Sequence, residues 1–155
     1  MGVAGIGKTT VGQALAQQLH WRFVDADDYH SAANVAKMHA GIPLSDADRA
    51  PWLDALHDAI TSWLAAGENV VLACSALKAV YRERLLVNPS VKLVYLRGTK
   101  DLAASRLAAR HGHYMNPALL QSQFDTLEEP ADALTIDAAA STSEIVGAIC
   151  HALAV

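Results

Sequence analysis

The sequence predicts an α/β domain on a mostly parallel sheet, and three observations carry that prediction. Segments of helical apolar spacing alternate with short apolar runs along the whole chain. Two of those runs, Asn69 to Cys74 and Val91 to Leu96, are almost continuously apolar, as strands covered on both faces require. A polar cluster follows each of the first three candidate strands, where ligands bind in open parallel sheets. No repeat or linker divides the 155 residues, which are read as one domain large enough to bury a full core.

Taken in order, the first helix is expected from Gly7 to about Leu19, with Val11, Ala14, Leu15 and Leu19 at helical spacing. A short strand, Arg22 to Val24, ends in the acids Asp25, Asp27 and Asp28. Ala32 to Ala40 has a helical composition and is stopped by Gly41 and Pro43. Ser45 to Asp48 resembles a capping box, and a long helix from about Pro51 to Ala66 buries Trp52, Leu53, Leu56, Ile60, Trp63 and Leu64. Ala79 to Leu86 is a helix stopped by Asn88-Pro89. Thr99 caps another from Lys100 to Arg110, and His111-Gly112-His113 breaks the chain. Pro117 opens a helix carrying Leu120, Phe124 and Leu127. A last strand, Ala133 to Ile136, precedes a helix capped by Ser141 with Glu144 three residues on.

Composition narrows the function. Hydrophobic residues make up 52% and charged residues 18%, which is globular and argues against disorder. A formal net charge of -4 offers no general attraction to nucleic acid or to an anionic membrane, so an anionic ligand must be held by locally placed Arg and Lys. No apolar run approaches the roughly 20 residues of a spanning helix, and the first residues do not read as a secretory signal; the expectation is a soluble cytoplasmic protein. Cys74 and Cys150 are too few and too far apart for a disulfide framework.

The chemistry starts in the first ten residues. Gly2, Gly5, Gly7, Lys8 and Thr9 fit the phosphate-binding pattern G-x-x-x-x-G-K-[ST], and a helix follows where that pattern requires one. Glycines let backbone N–H groups turn inward around a phosphate, Lys8 adds a charge for the β and γ phosphates, and Thr9 offers a hydroxyl to Mg²⁺. Thr10 on the same turn is grouped with them as nucleotide-binding. The cofactors expected are ATP and Mg²⁺.

Longer segments extend the pattern. His30-x-x-x-Asn34-x-x-Lys37-Met38-x-x-Gly41-x-Pro43-Leu44-x-Asp46-x-Asp48-Arg49-x-Pro51-Trp52-Leu53 is followed by Cys74-Ser75-Ala76-Leu77-Lys78-x-x-Tyr81-Arg82. Ser105-Arg106-Leu107, Arg110, Gly112-His113, Ser122-Gln123-Phe124 and Thr126-Leu127-Glu128 complete the set. This constellation resembles the gluconate kinases, small ATP-dependent sugar-acid kinases related to shikimate and nucleoside monophosphate kinases. The resemblance covers nearly the whole chain. It implies a three-layer phosphate-loop NTPase fold with a lid at about residues 106–118. The implied reaction is ATP-dependent phosphorylation of D-gluconate to 6-phosphogluconate in sugar-acid catabolism, and homodimerisation is suggested by the resemblance alone. Alternatives within reach of the same fold are a shikimate-kinase-like enzyme or a nucleotide-binding chain with little catalysis.

Roles follow for individual residues. Phosphoryl transfer needs positioning and charge stabilisation rather than a covalent protein intermediate. Thr9 is expected to hold Mg²⁺ directly and Asp25 through water, while Asp27 accepts the proton of the attacking hydroxyl. Alternation along an extended strand end places Asp25 and Asp27 on one side and Asp28 on the other. Arg49 is the expected fork for the sugar-acid carboxylate, because guanidinium matches carboxylate in two parallel hydrogen bonds, although pairing with Asp46 or Asp48 is the alternative. His30, Lys78 and Arg82 join it by resemblance. Arg106 and Arg110, four apart on one helix face, are expected to reach the ATP phosphates from the lid, with Lys8, Asp27 and Arg110 as the catalytic set. The adenine contact is expected from the loop after Asp137.

One expectation concerns the start of the loop. The phosphate pattern ordinarily follows a buried central strand, and only Met1 stands before Gly2. Without such a strand a domain forfeits several backbone hydrogen bonds at about 0.5–1.5 kcal/mol each and several apolar side chains at about 1.5–3 kcal/mol each. The expectation is therefore an upstream apolar strand in the intact protein, and weak stability or activity without it.

Overall fold

The computed structural model describes residues 1–109 and 117–155. The chain runs α1 (Lys8–Leu19), β1 (Arg22–Asp25), a 3-10 turn (Ala26–Tyr29), α2 (Ala32–His39), α3 (Asp46–Ala65), β2 (Val70–Ala73), α4 (Ala79–Leu85), β3 (Val94–Arg97), α5 (Lys100–Ala108), α6 (Pro117–Thr126), β4 (Leu134–Asp137) and α7 (Thr142–Leu153).

Local chemistry sets most of these boundaries. Ser45 and Ser141 each accept from the third helical N–H, while Asp48 and Glu144 reach back to the cap N–H, closing two full capping boxes. The first box starts α3 at Asp46, five residues ahead of the expected Pro51, which sits inside the helix. Thr99 caps α5 through the Leu102 N–H, and Ser31 caps α2 through the Asn34 N–H. Among the described residues no helix is long and apolar enough to cross a membrane.

All strand pairing is parallel. β1 lies beside β2 with Arg22 opposite Val70 and Asp25 opposite Ala73; β3 lies beside β4 with Val94 opposite Leu134 and Arg97 opposite Asp137. The single sheet expected from sequence is thus two parallel pairs among the described residues. Met1 and Gly2 lie between them. The Met1 N donates to the Val94 carbonyl, the Leu96 N–H donates to the Met1 carbonyl at 3.0 Å, and the Gly2 N–H donates to the Ser75 carbonyl at 3.3 Å. Beside this short bridge is a cavity of about 420 Å³ whose lining includes Leu15, Val71, Ala73, Val94 and Leu96.

Helices cover both faces of the first pair. On β2, Val71 packs into the core of Val11, Leu15, Leu96, Ile145 and Ile149, while Val70 and Leu72 pack against Trp52, Leu53, Leu56 and Ile60 from α3. This alternation is the period of two expected of a strand between two layers. The phosphate loop, α5, α6 and α7 share the first core, and β1, α3 and α4 share the second. The loop therefore stands at the seam between them.

Candidate active site

The phosphate loop is shaped by backbone that L side chains resist. Gly5 has φ +76° and Gly7 φ +107°; a Cβ on Gly5 would lie 2.6 Å from the Ala103 carbonyl oxygen. Gly7 caps α1 with no side-chain hydrogen bond, and the first turn carries no acid, which keeps the helix's positive end electrostatically suited to an anion. Lys8 Nζ donates to the Val3 carbonyl at 2.9 Å, arched back over the loop. These features fit a bound phosphate chain: a cradle that a Cβ would obstruct, a lysine over it, and a helix terminus beneath it.

Two long-range contacts hold the loop in place. The Ala4 N–H donates to Gln123 Oε1 at 2.7 Å, reaching across from α6. Arg106 donates from Nη1 to the Ile6 carbonyl at 2.7 Å and from Nη2 to the Ala138 carbonyl at 2.8 Å. Arg106 thus ties the phosphate loop to the segment after β4. Beside it opens a cavity of about 270 Å³ lined by Gly5, Gly7, Thr10, Arg106, Ala140 and Thr142. Its walls join the loop to the segment expected to meet adenine. Arg110 and most of the expected lid lie outside the described residues.

On the other side of the loop, the Thr9 hydroxyl donates to Asp25 Oδ2 at 3.0 Å. A hydroxyl and a carboxylate so close together are hard oxygen donors suited to Mg²⁺. The other Asp25 oxygen accepts the Asp27 N–H at 3.1 Å and caps the 3-10 turn. Strand alternation, expected to set this pair, does not: β1 ends at Asp25, and Asp27 belongs to the turn Ala26–Tyr29. Helical winding and a shared carboxylate, not strand pleat, hold the two acids together. Desolvation by the surrounding chain, and then the Asp25 charge, raise the Asp27 pKa above the usual carboxylate value. The Asp27 side chain itself is 75% exposed at the edge of the cleft.

His30 lies at the end of this turn with its Nε2 3.9 Å from Asp27 Oδ1. Its ring stacks on Trp52 with centroids 4.6 Å apart and planes 11° from parallel. Burial lowers its pKa, partly opposed by Asp27 and reinforced by Arg49. Trp52, expected as core, is buried and also donates from Nε1 to the Ala26 carbonyl at 2.7 Å, fixing the turn that carries Asp27.

The cations expected on the acceptor side divide into two kinds. Arg49 donates to the Leu44 carbonyl and lies 5.7 Å from the Tyr81 ring centroid. Neither of the acids named as its alternatives is the partner seen: Asp48 accepts from Lys37 at 2.7 Å, and Asp46 accepts from Lys78 Nζ at 2.8 Å on both oxygens. Lys78 flanks the same Tyr81 ring, also at 5.7 Å. Arg82 is bonded to backbone. It is only 7% exposed and donates to the carbonyls of Ala76 at 3.1 Å and Leu77 at 2.9 Å. Ala76 has φ +43°, a left-handed conformation costly for a residue with a Cβ, and Arg82 secures the loop that contains it. Arg82 therefore shapes the Cys74–Lys78 loop through its Nη1.

Three residues of this site stand in the family segments of the sequence but were given no role in the reaction there. Tyr81 donates its hydroxyl to Asp46 Oδ1, Asp46 gathers Lys78 and Tyr81, and Gln123 grips the phosphate loop. The Lys78 and Tyr81 pair had a signal, since residues three apart at a helix start share a face. Gln123 had only its place in those segments, because its contact with the loop spans 119 positions. Hydrogen bonds from Lys78 and then Tyr81 lower the Asp46 pKa, and the same partnership raises that of Lys78.

Comparison with known proteins places this geometry. A family model described as an AAA domain matches residues 1–133. A gluconokinase of Gluconobacter oxydans is 48% identical over 85% of this chain and 75% of its own length. The thermoresistant gluconokinase of Escherichia coli is 42% identical over 94% of this chain and 90% of its own. The crystal structure of a gluconokinase from Sinorhizobium meliloti superimposes with a TM-score of 0.89 at 41% identity, covering 99% of this chain and 89% of that one. At such identity over nearly the whole of both chains, the chain belongs to the gluconokinase family of phosphate-loop kinases.

Proposed function

We propose that this chain transfers the γ-phosphoryl group of ATP to the 6-hydroxyl of D-gluconate, in the cytoplasm. The observation that carries the reading is the position of Asp25. One of its oxygens meets Thr9 on the nucleotide side and the other meets the Asp27 N–H on the acceptor side, so one carboxylate joins the two halves of the reaction.

In the proposed reaction the sugar-acid hydroxyl lies against Asp27, which takes its proton as the bond from oxygen to the γ-phosphorus forms. The bond from that phosphorus to the bridging oxygen breaks, and ADP leaves with the electron pair. Lys8 and the loop amides stabilise charge on the phosphates. Thr9 and Asp25 would hold Mg²⁺, which neutralises charge on the phosphate oxygens when bound. Arg49 and Lys78 supply positive charge for the carboxylate, and His30 and Trp52 keep Asp27 in place. Arg106 orients the nucleotide through the loop and the Ala138 segment, and Arg110 is proposed to join it from the lid. Homodimerisation is carried over from the family and is read by sedimentation.

A coupled assay of ADP release across gluconate, shikimate and a neutral polyol tests the reading. Turnover with gluconate well above the others is expected. Equal or greater turnover with shikimate, or none with any acceptor, overturns it.

A further inference from the structure

The acceptor side contains a carboxylate that nothing in the phosphoryl transfer uses. Asp46, the first residue of α3, has a side chain 62% exposed, yet it collects three hydrogen bonds from α4 and its N-cap: two from Lys78 Nζ at 2.8 Å and one from the Tyr81 hydroxyl. Arg49 stands on the same Tyr81 ring as Lys78, so two cations and a phenol surround one acid. A solvated surface pair does not require this convergence. Lys78 and Tyr81, the two donors to Asp46, are groups a sugar-acid carboxylate would seek.

We propose that Asp46 is a specificity-determining residue that occupies the substrate-carboxylate site of the free enzyme and is displaced by the carboxylate of the incoming sugar acid. The inference rests on the proposed acceptor being a sugar acid. Its chemistry is an exchange of anions at Lys78 and Tyr81, with no net loss of paired charge when the newcomer is itself a carboxylate. A neutral polyol offers only hydroxyls in return and would leave Lys78 without a counter-charge, so the pair filters acceptors by charge. The cost is that the acid-binding state is only a fraction of the free enzyme, and apparent affinity is reduced by that fraction.

The test compares gluconate and ATP kinetics of the whole chain with those of Asp46→Asn and Asp46→Ala, both in the wild-type and in a Lys78→Ala background. Vacating the site should lower the KM for gluconate by roughly fivefold and leave the KM for ATP unchanged. In the Lys78→Ala background, removing Asp46 should no longer lower it. A KM for gluconate that rises or stays level in both Asp46 variants, with melting unchanged, overturns the proposal and makes Asp46 a support for Lys78 or a surface pair. An equal fall in the Lys78→Ala background overturns it as well. Wild-type enzyme that does not phosphorylate gluconate at all removes the proposed function and this inference with it, a result told apart by the wild-type arm alone.

Discussion

At the scale of single residues, the site depends on Asp27 and on what holds it. Asp27→Asn is expected to lower kcat by about 10²-fold or more while the KM for ATP moves little, because the loop and Arg106 are untouched; steady-state kinetics check both. His30 gives a pH signature. Its pKa is lowered from 6.5 in the fold, so below that value the unfolded chain binds a proton that the folded chain refuses. Stability from this group therefore rises with pH and is lost as pH falls below 6.5. Melting curves from about pH 7.5 to about pH 5 should show it, and His30→Phe, which can retain the stack on Trp52, should flatten that slope. Much of this level was legible in sequence, because Gly5, Lys8, Thr9 and Asp25 act within a few residues of one another or at a strand end. The loop-holding part of Arg82 was not, since the carbonyls of Ala76 and Leu77 come beside it only in the fold.

At the scale of elements, short segments place the chemistry. Gly5→Ala combines an unfavourable φ with a Cβ 2.6 Å from the Ala103 carbonyl, so the loop must shift away from α5. Loss of nucleotide binding with a lowered Tm is expected, read by calorimetry with and without ATP. Arg82→Ala would leave two carbonyls without their charged donor and release Ala76 from its left-handed turn. It is expected to cost about 1–3 kcal/mol and to raise the KM for gluconate through a displaced Lys78, which denaturant melts and kinetics separate. Capping boxes at Ser45 and Ser141 were readable because both halves of each box lie within four residues. The 3-10 turn after β1 was not, because the Ala26–Tyr29 segment has no apolar period and gains its shape from Asp25 and Trp52.

At the scale of the molecule, two cores meet where the phosphate loop begins. The parallel direction of the strands was evident from their apolar runs; which strands pair was not, since no sequence period records it. The cavity between β2 and β3 is apolar, and Met1 already makes strand-like hydrogen bonds to β3 at its edge. Five β-branched apolar residues joined ahead of Met1 should extend that pairing and raise Tm, each well-buried side chain adding about 1.5–3 kcal/mol at most. A Gly-Ser extension of equal length should add nothing. Equal melting of the two, by differential scanning calorimetry, would show that the space does not accept a strand.

Arg106 gives the phosphate site a mechanical character. One guanidinium holds the loop at Ile6 and the segment after β4 at Ala138. A displacement of either is therefore carried to the other, and the walls of the cavity lined by Gly5, Thr10 and Ala140 move as one piece.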